Sequence, residues 1–171
     1  IPLIVMFCNV ISAVVSQGKL RKVIYFDEVT GGNNWSYFKE RGKKILCKYV
    51  NKKKTYFIAD LEFMKYRSFC ACCGVEEGER VLENIYRYIN NVIGKKGVCA
   101  RYGRANFAIM CPCDGGEHAR AILTSIENGM NGIAGNQRVI FHAGYIVLEP
   151  WVNRNGGVIK RENMDMALLY N

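Results

Sequence analysis

Two short apolar runs, residues 98–102 and 107–110, are separated by only the four residues 103–106. A connection that short, carrying a glycine, spans nothing wider than a hairpin tip, so the two runs must pair antiparallel. A hairpin needs something to bury its apolar side, and the flanking sequence supplies it. Residues 76–93 place Val81, Ile85, Ile89 and Val92 on one face at helical spacing. Acidic residues gather in the first turn, and Gly94 and Gly97 end the helix. After the hairpin, Ala119, Ile122, Leu123 and Ile126 form the inner face of another helix. Residues 55–61, β-branched and aromatic, predict a buried strand, and residues 139–148 a second. Earlier, residues 31–34 signal a turn whose Asn34 caps a helix carrying Trp35, Phe38, Ile45 and Leu46, weakened by Gly42. Residues 164–169 start a final helix. This order predicts an α+β fold, a central mostly antiparallel sheet flanked by helices around a ferredoxin-like core.

The chain of 171 residues is 50% hydrophobic and 12% aromatic, which suits one domain and excludes disorder. Residues 1–15 carry no charge and no polar face, and Lys19, Arg21 and Lys22 follow at once. That pattern predicts residues 1–18 as the end of a truncated transmembrane helix and 19–26 as a short linker. The globular part then lies on the cytoplasmic side of the inner membrane. The alternative is a buried helix or strand of the domain itself. Starting at Ile1 and stopping at Asn171 inside an apolar helical pattern, the chain reads as a fragment of a longer protein. The net charge of +9 is mostly local: Arg41, Lys43, Lys44, Lys48 and Lys52 to Lys54 crowd one stretch. No aromatic ladder sits among them, so nucleic acid is not an expected partner; a solvated basic face comes first, and attraction to anionic lipid second. The eight cysteines show no evenly spaced disulfide framework and read as reduced thiols. A zinc site joining Cys70, Cys72 and Cys73 to Cys111 and Cys113 is the less favoured alternative, because neither group has the usual spacing. His118 and His142 read as structural.

Three segments, in order, carry a family resemblance. Asp27-Glu28-Val29-Thr30-Gly31-Gly32-Asn33-Asn34-Trp35-Ser36-Tyr37-Phe38 resembles Asp-x-Leu-Thr-Gly-Leu-x-Asn-Arg-x-x-Phe, with Asp27, Thr30, Gly31, Asn34 and Phe38 matching and Trp35 departing. Asp60-Leu61-Glu62-Phe63-Met64-Lys65 resembles Asp-x-Asp-x-Phe-Lys, and Gly74-Val75-Glu76-Glu77-Gly78-Glu79 resembles the Gly-His and Gly-Asp that follow. An Asn-Asp pair between them is gone. Ser68 or Cys70 takes its place, with about two residues inserted. Arg101-Tyr102-Gly103-Arg104-Ala105-Asn106-Phe107 stands where the motif is Arg-Tyr-Gly-Gly-Asp-Glu-Phe. His142-Ala143-Gly144 and Asp165-Met166-Ala167-Leu168 resemble its closing strand and helix. On these residues, 27–171 resembles the GGDEF family of diguanylate cyclases, with a degenerate signature.

The resemblance implies a reaction that joins two GTP molecules into cyclic di-GMP with Mg²⁺ as the charge-neutralising cation. It implies Asp60 as one metal ligand and the third signature position as another. Hard cations want carboxylate oxygen, and Ala105 offers no ligand atom. Asn106, at the fourth position, cannot accept a proton at neutral pH. Arg104 replaces the glycine that lets backbone approach nucleotide. The signature Gly103, Arg104, Ala105, Asn106 and Phe107 therefore contains no intact catalytic set. Lys65, Glu79 and Gly103 remain as nucleotide contacts if binding is retained, and Asp60 as a metal ligand only if a cation still binds. Gly94-Lys95-Lys96-Gly97 stands in place of the family's inhibitory Arg-x-x-Asp, so no inhibitory site is expected. The expected function is a catalytically inactive, regulatory, dimerising or GTP-sensing domain of a membrane-anchored signalling protein, joined in the full-length protein to a phosphodiesterase domain. The alternative is an active diguanylate cyclase.

Overall fold

The computed structural model describes residues 21, 23–49, 54–130, 132–135 and 139–148. The apolar run 1–18, linker residues 19, 20 and 22, Lys52, Lys53 and the predicted helix 164–169 lie outside the described residues. Of the linker, Arg21 and residues 23–25 are helical. Phe26 opens a two-residue strand, β1 (Phe26–Asp27), paired antiparallel with β2 (Gly32–Asn33). Among the described residues, no helix is long and apolar enough to cross a membrane.

The centre of the domain is strand β3 (Thr55–Phe63). It pairs antiparallel on one side with β5 (Asn106–Cys113) and on the other with β6 (Phe141–Leu148). Strand β4 (Val98–Tyr102) closes the predicted hairpin against β5, giving the sheet order β4-β5-β3-β6. That order, with a helix crossing between β3 and β4 and another between β5 and β6, is the split βαβ arrangement of a ferredoxin-like core.

Alternation along β3 divides its side chains between two cores. Phe57, Ala59, Leu61 and Phe63 face α3 (Val75–Ile93) and α4 (Gly116–Gly129), where Val81, Leu82, Ile85, Ile89, Ala119, Leu123 and Ile126 are buried against them. Each large aliphatic side chain so removed from water contributes about 1.5–3 kcal/mol. Tyr56, Ile58 and Asp60 face the other way. There α1 (Trp35–Tyr49) lays Phe38 and Ile45 over Val98, Ala100, Ala108 and Met110. Helix α1 starts as its sequence predicts, with the Asn34 side-chain oxygen accepting from the Tyr37 N–H at 3.1 Å.

Two features differ from the sequence reading. Strand β3 continues to Phe63, because Phe63 pairs with Phe141 and its N–H donates to the Ala105 carbonyl at 3.0 Å. The segment that carries the inserted residues is a helix, α2 (Tyr66–Cys73); no residue on it is fully buried, but Tyr66 and Phe69 pack half-buried against the core. It is launched by Lys65, whose φ of 57° lies in the left-handed region, the one non-glycine among the described residues to do so.

Candidate functional site

Register places the signature tip beside Asp60. Asn106 lies opposite Glu62, and Asp60 opposite Ala108. Strand geometry then sets the Cα atoms of Asp60 and Asn106 about 8 Å apart. Gly103 takes φ 64°, a turn conformation that favours glycine. On the α1 side of the sheet, Asp60 is enclosed by Tyr102, whose ring lies 5.2 Å from that of Trp35. Burial first, then the nearby Asp60 carboxylate, push the Tyr102 phenol above its ordinary value. One oxygen of Asp60, Oδ1, is buried with no hydrogen-bond partner. Such an orphan acceptor is a position that a water or a cation can satisfy.

The surrounding donors do not complete a magnesium shell. Ala105 is 4% exposed and packs in the apolar core, Glu62 is solvent-exposed, and Asn106 offers only an amide. Among the described residues no three His, Cys, Asp or Glu side chains converge on one point. One carboxylate and an amide oxygen do not make the anionic cage that a hard divalent ion requires.

The tip is held from behind. Arg101 donates through Nε to Asp27 Oδ1 at 2.9 Å and reaches Asp27 Oδ2 through Nη2 at 2.8 Å, a bidentate pair with the two side chains only 14% and 12% exposed. Its Nη1 donates to the carbonyls of Gly103 and Arg104, both at 2.9 Å. Asp27 Oδ1 also accepts from the N–H and hydroxyl of Thr30. Burial alone would raise the Asp27 carboxyl. The bonds from Arg101 and Thr30 outweigh it and hold the group below its ordinary value. Asp27, Thr30 and Arg101 are thus one clamp joining the β1–β2 turn to the hairpin, a role that the motif matches alone did not reveal. Next to it, Gly32 lies directly under Tyr86. A Cβ there would sit 2.0 Å from the Tyr86 ring, whose hydroxyl accepts from the Asn33 N–H at 2.9 Å.

Between α2, α3 and the hairpin tip lies a cleft of about 350 Å³, lined by Val29, Tyr66, Arg67, Cys70, Glu79, Leu82, Arg101 and Arg104 among others. Of the two alternatives for the lost Asn, Cys70 lines this cleft and Ser68 is exposed outside it. Glu79 lines it too; Lys65 and Gly103 do not. The cysteine groups are far apart. Cys113 pairs with Thr55 at one end of β3, whereas Cys70, Cys72 and Cys73 follow its other end, eight residues or about 26 Å along the strand. A shared zinc site is therefore ruled out by topology. The segment read as the vacated inhibitory site is an exposed 3-10 turn, Gly94–Lys96, with no arginine. His118 accepts from the Asp114 N–H at the start of α4, and His142 is exposed on β6.

Replacing Ala105 by Asp tests how closely the tip is packed. A carboxylate at this buried position gains no donor, and the Ala105→Asp variant is expected to lose about 2 kcal/mol in urea unfolding. An unchanged midpoint would show that the tip opens freely to solvent.

The family model described as the GGDEF domain of diguanylate cyclases matches residues 24–148. No curated protein matches the chain. Among solved structures, the coiled coil and GGDEF domain of DgcB from Caulobacter crescentus, in complex with c-di-GMP, superposes with a TM-score of 0.76 at 18% identity, covering 97% of this chain and 90% of that one. The FimX GGDEF domain of Pseudomonas aeruginosa gives 0.65 at 20% identity, covering 76% and 83%. The S helix–GGDEF–EAL portion of Vibrio cholerae LapD, bound to c-di-GMP, gives 0.65 at 18%, covering 78% of this chain and 31% of that one. At such identities the likeness establishes the fold, and the family match, running from the β1–β2 turn through the last strand, establishes more: this chain belongs to the GGDEF domain family of cyclic di-GMP signalling proteins.

Proposed function

We propose that this chain is a non-catalytic GGDEF domain that binds GTP in the cleft between α2 and α3 and serves as a regulatory, dimerising module of a membrane-anchored signalling protein. The observation that carries the reading is the hairpin tip. Arg104, Ala105 and Asn106 place no carboxylate beside Asp60, so among the described residues neither a two-carboxylate cation site nor a base for the attacking hydroxyl is assembled. What the chain retains is the scaffold: the Asp27–Arg101 clamp, the cleft and Glu79 on its wall. Val23 and Ile24, 82% and 50% exposed on the helix that enters the domain, favour a second copy alongside. The membrane anchor rests on the apolar run 1–15 and the cations after it. A joined phosphodiesterase domain rests on the analogy with LapD, whose chain continues into an EAL domain.

Incubating the purified chain with GTP and Mg²⁺ and measuring cyclic di-GMP decides the main point. No product is expected, and steady turnover would return the chain to the active cyclases. The triple variant Arg104→Gly, Ala105→Asp, Asn106→Glu is expected to remain at least a hundredfold below a working cyclase. Cys70 stands where the motif has its Asn, and a misplacement of about 1 Å already costs about a hundredfold in rate.

A further inference from the structure

Two guanidinium groups stand free at the mouth of the cleft. Arg101 is tied to Asp27, but the guanidinium groups of Arg67 on α2 and Arg104 at the hairpin tip pair with no other described residue, and both residues are exposed. Only one carboxylate, Glu79, lines the same cleft. The family's Gly-Asp-Glu carries two negative charges at this tip, whereas Arg104-Ala105-Asn106 carries one positive charge, a swing of three. A tip bearing two carboxylates repels phosphate and needs a cation to bring it in. A tip bearing an arginine attracts phosphate by itself, through a planar fork that matches two phosphate oxygens.

We infer that this cleft binds a nucleoside triphosphate without magnesium, with Arg104 and Arg67 taking the place of the cation. The inference rests on the reading of the cleft as a nucleotide site. Its volume of about 350 Å³ suits a single nucleotide. Tyr66, Val29 and Leu82 provide apolar wall for a base, and Glu79 an acceptor for a base N–H. Magnesium then has no ligand shell to enter. By neutralising the triphosphate in solution, it competes with the two arginines instead of assisting them.

Titrating the full chain calorimetrically with GTP, once in EDTA and once in excess Mg²⁺, tests this. Binding in EDTA is expected to equal or exceed binding in Mg²⁺. In EDTA, Arg104→Gly is expected to weaken it roughly tenfold or more, and Arg67→Ala in the same direction. Arg104 is exposed at the tip, and an unchanged unfolding midpoint confirms that its variant folds. GTP bound only with Mg²⁺ would overturn the inference and leave the nucleotide reading standing. No GTP bound under either condition would overturn both. Binding in EDTA that is indifferent to Arg104→Gly and Arg67→Ala would move the phosphate away from these side chains and overturn the inference alone.

Discussion

Arg101→Ala is expected to cost about 3 kcal/mol of folding stability at neutral pH, the scale for removing one partner of a largely buried ion pair. The loss has two parts. The Asp27 carboxylate is left buried without its fork, and the carbonyls of Gly103 and Arg104 lose their shared donor. Acid dependence separates this from a simple packing defect. Asp27 titrates below its ordinary value in the folded chain, so its contribution is fully present above the unfolded carboxyl value, near pH 4, and is lost as the pH falls through the folded value. Urea unfolding from pH 7 down to pH 3 should therefore show a steep acid limb below about pH 4 in the parent chain and a shallower one in Arg101→Ala. Parallel limbs would mean that the pair is not what holds the hairpin to the β1–β2 turn.

The second large effect is steric. Gly32 occupies the position where the family's opening motif has Leu, and the Tyr86 ring fills the volume a side chain would need. Gly32→Leu should cost about 3 kcal/mol, from overpacking plus the bond between the Asn33 N–H and the Tyr86 hydroxyl that the displaced ring gives up. Gly32→Leu combined with Tyr86→Leu should recover at least half of that loss, because the second change reopens the space. A double variant whose loss is the plain sum of the two single changes would show that the residues do not share this site.

Strong local patterns made much of the fold legible in the sequence. Helix α3 combines an apolar stripe, acids in its first turn and a glycine stop; Val81, Ile85 and Ile89 are buried as the spacing predicts, while Val92 is half-buried and Leu82 and Ile93 complete the buried face instead. The short gap between β4 and β5, three residues in the structure, fixed their pairing regardless of distant context. Helix α2 escaped because it is only eight residues long and its apolar face, Tyr66, Phe69, Cys70 and Cys73, is no more than half-buried, too short a pattern to tell a helix from a loop. In the candidate site, the loss of carboxylates at Ala105 and Asn106 can be read from residue types alone. The clamp could not be read that way. Asp27 and Arg101 stand 74 positions apart, and only the pairing of β4 under the β1–β2 turn brings their charges together. Arg67 was passed over for the same reason. A lone arginine on an exposed segment acquires meaning only when the tip carrying Arg104 is found across the cleft from it.

The sheet order also has a consequence for how this domain is made in a cell. The strand in the middle is the first of the four to leave the ribosome. Its neighbour β5 is complete only at Cys113, fifty residues after Phe63, and its other neighbour only at Leu148. At translation rates of roughly 5–20 residues per second, β3 waits several seconds with both edges open. During that wait its Tyr-Phe-Ile-Ala stretch is an apolar template for any other nascent strand. Asp60 and Glu62, interrupting that run near its end, protect the newborn chain against such pairing whether or not either ever meets a ligand.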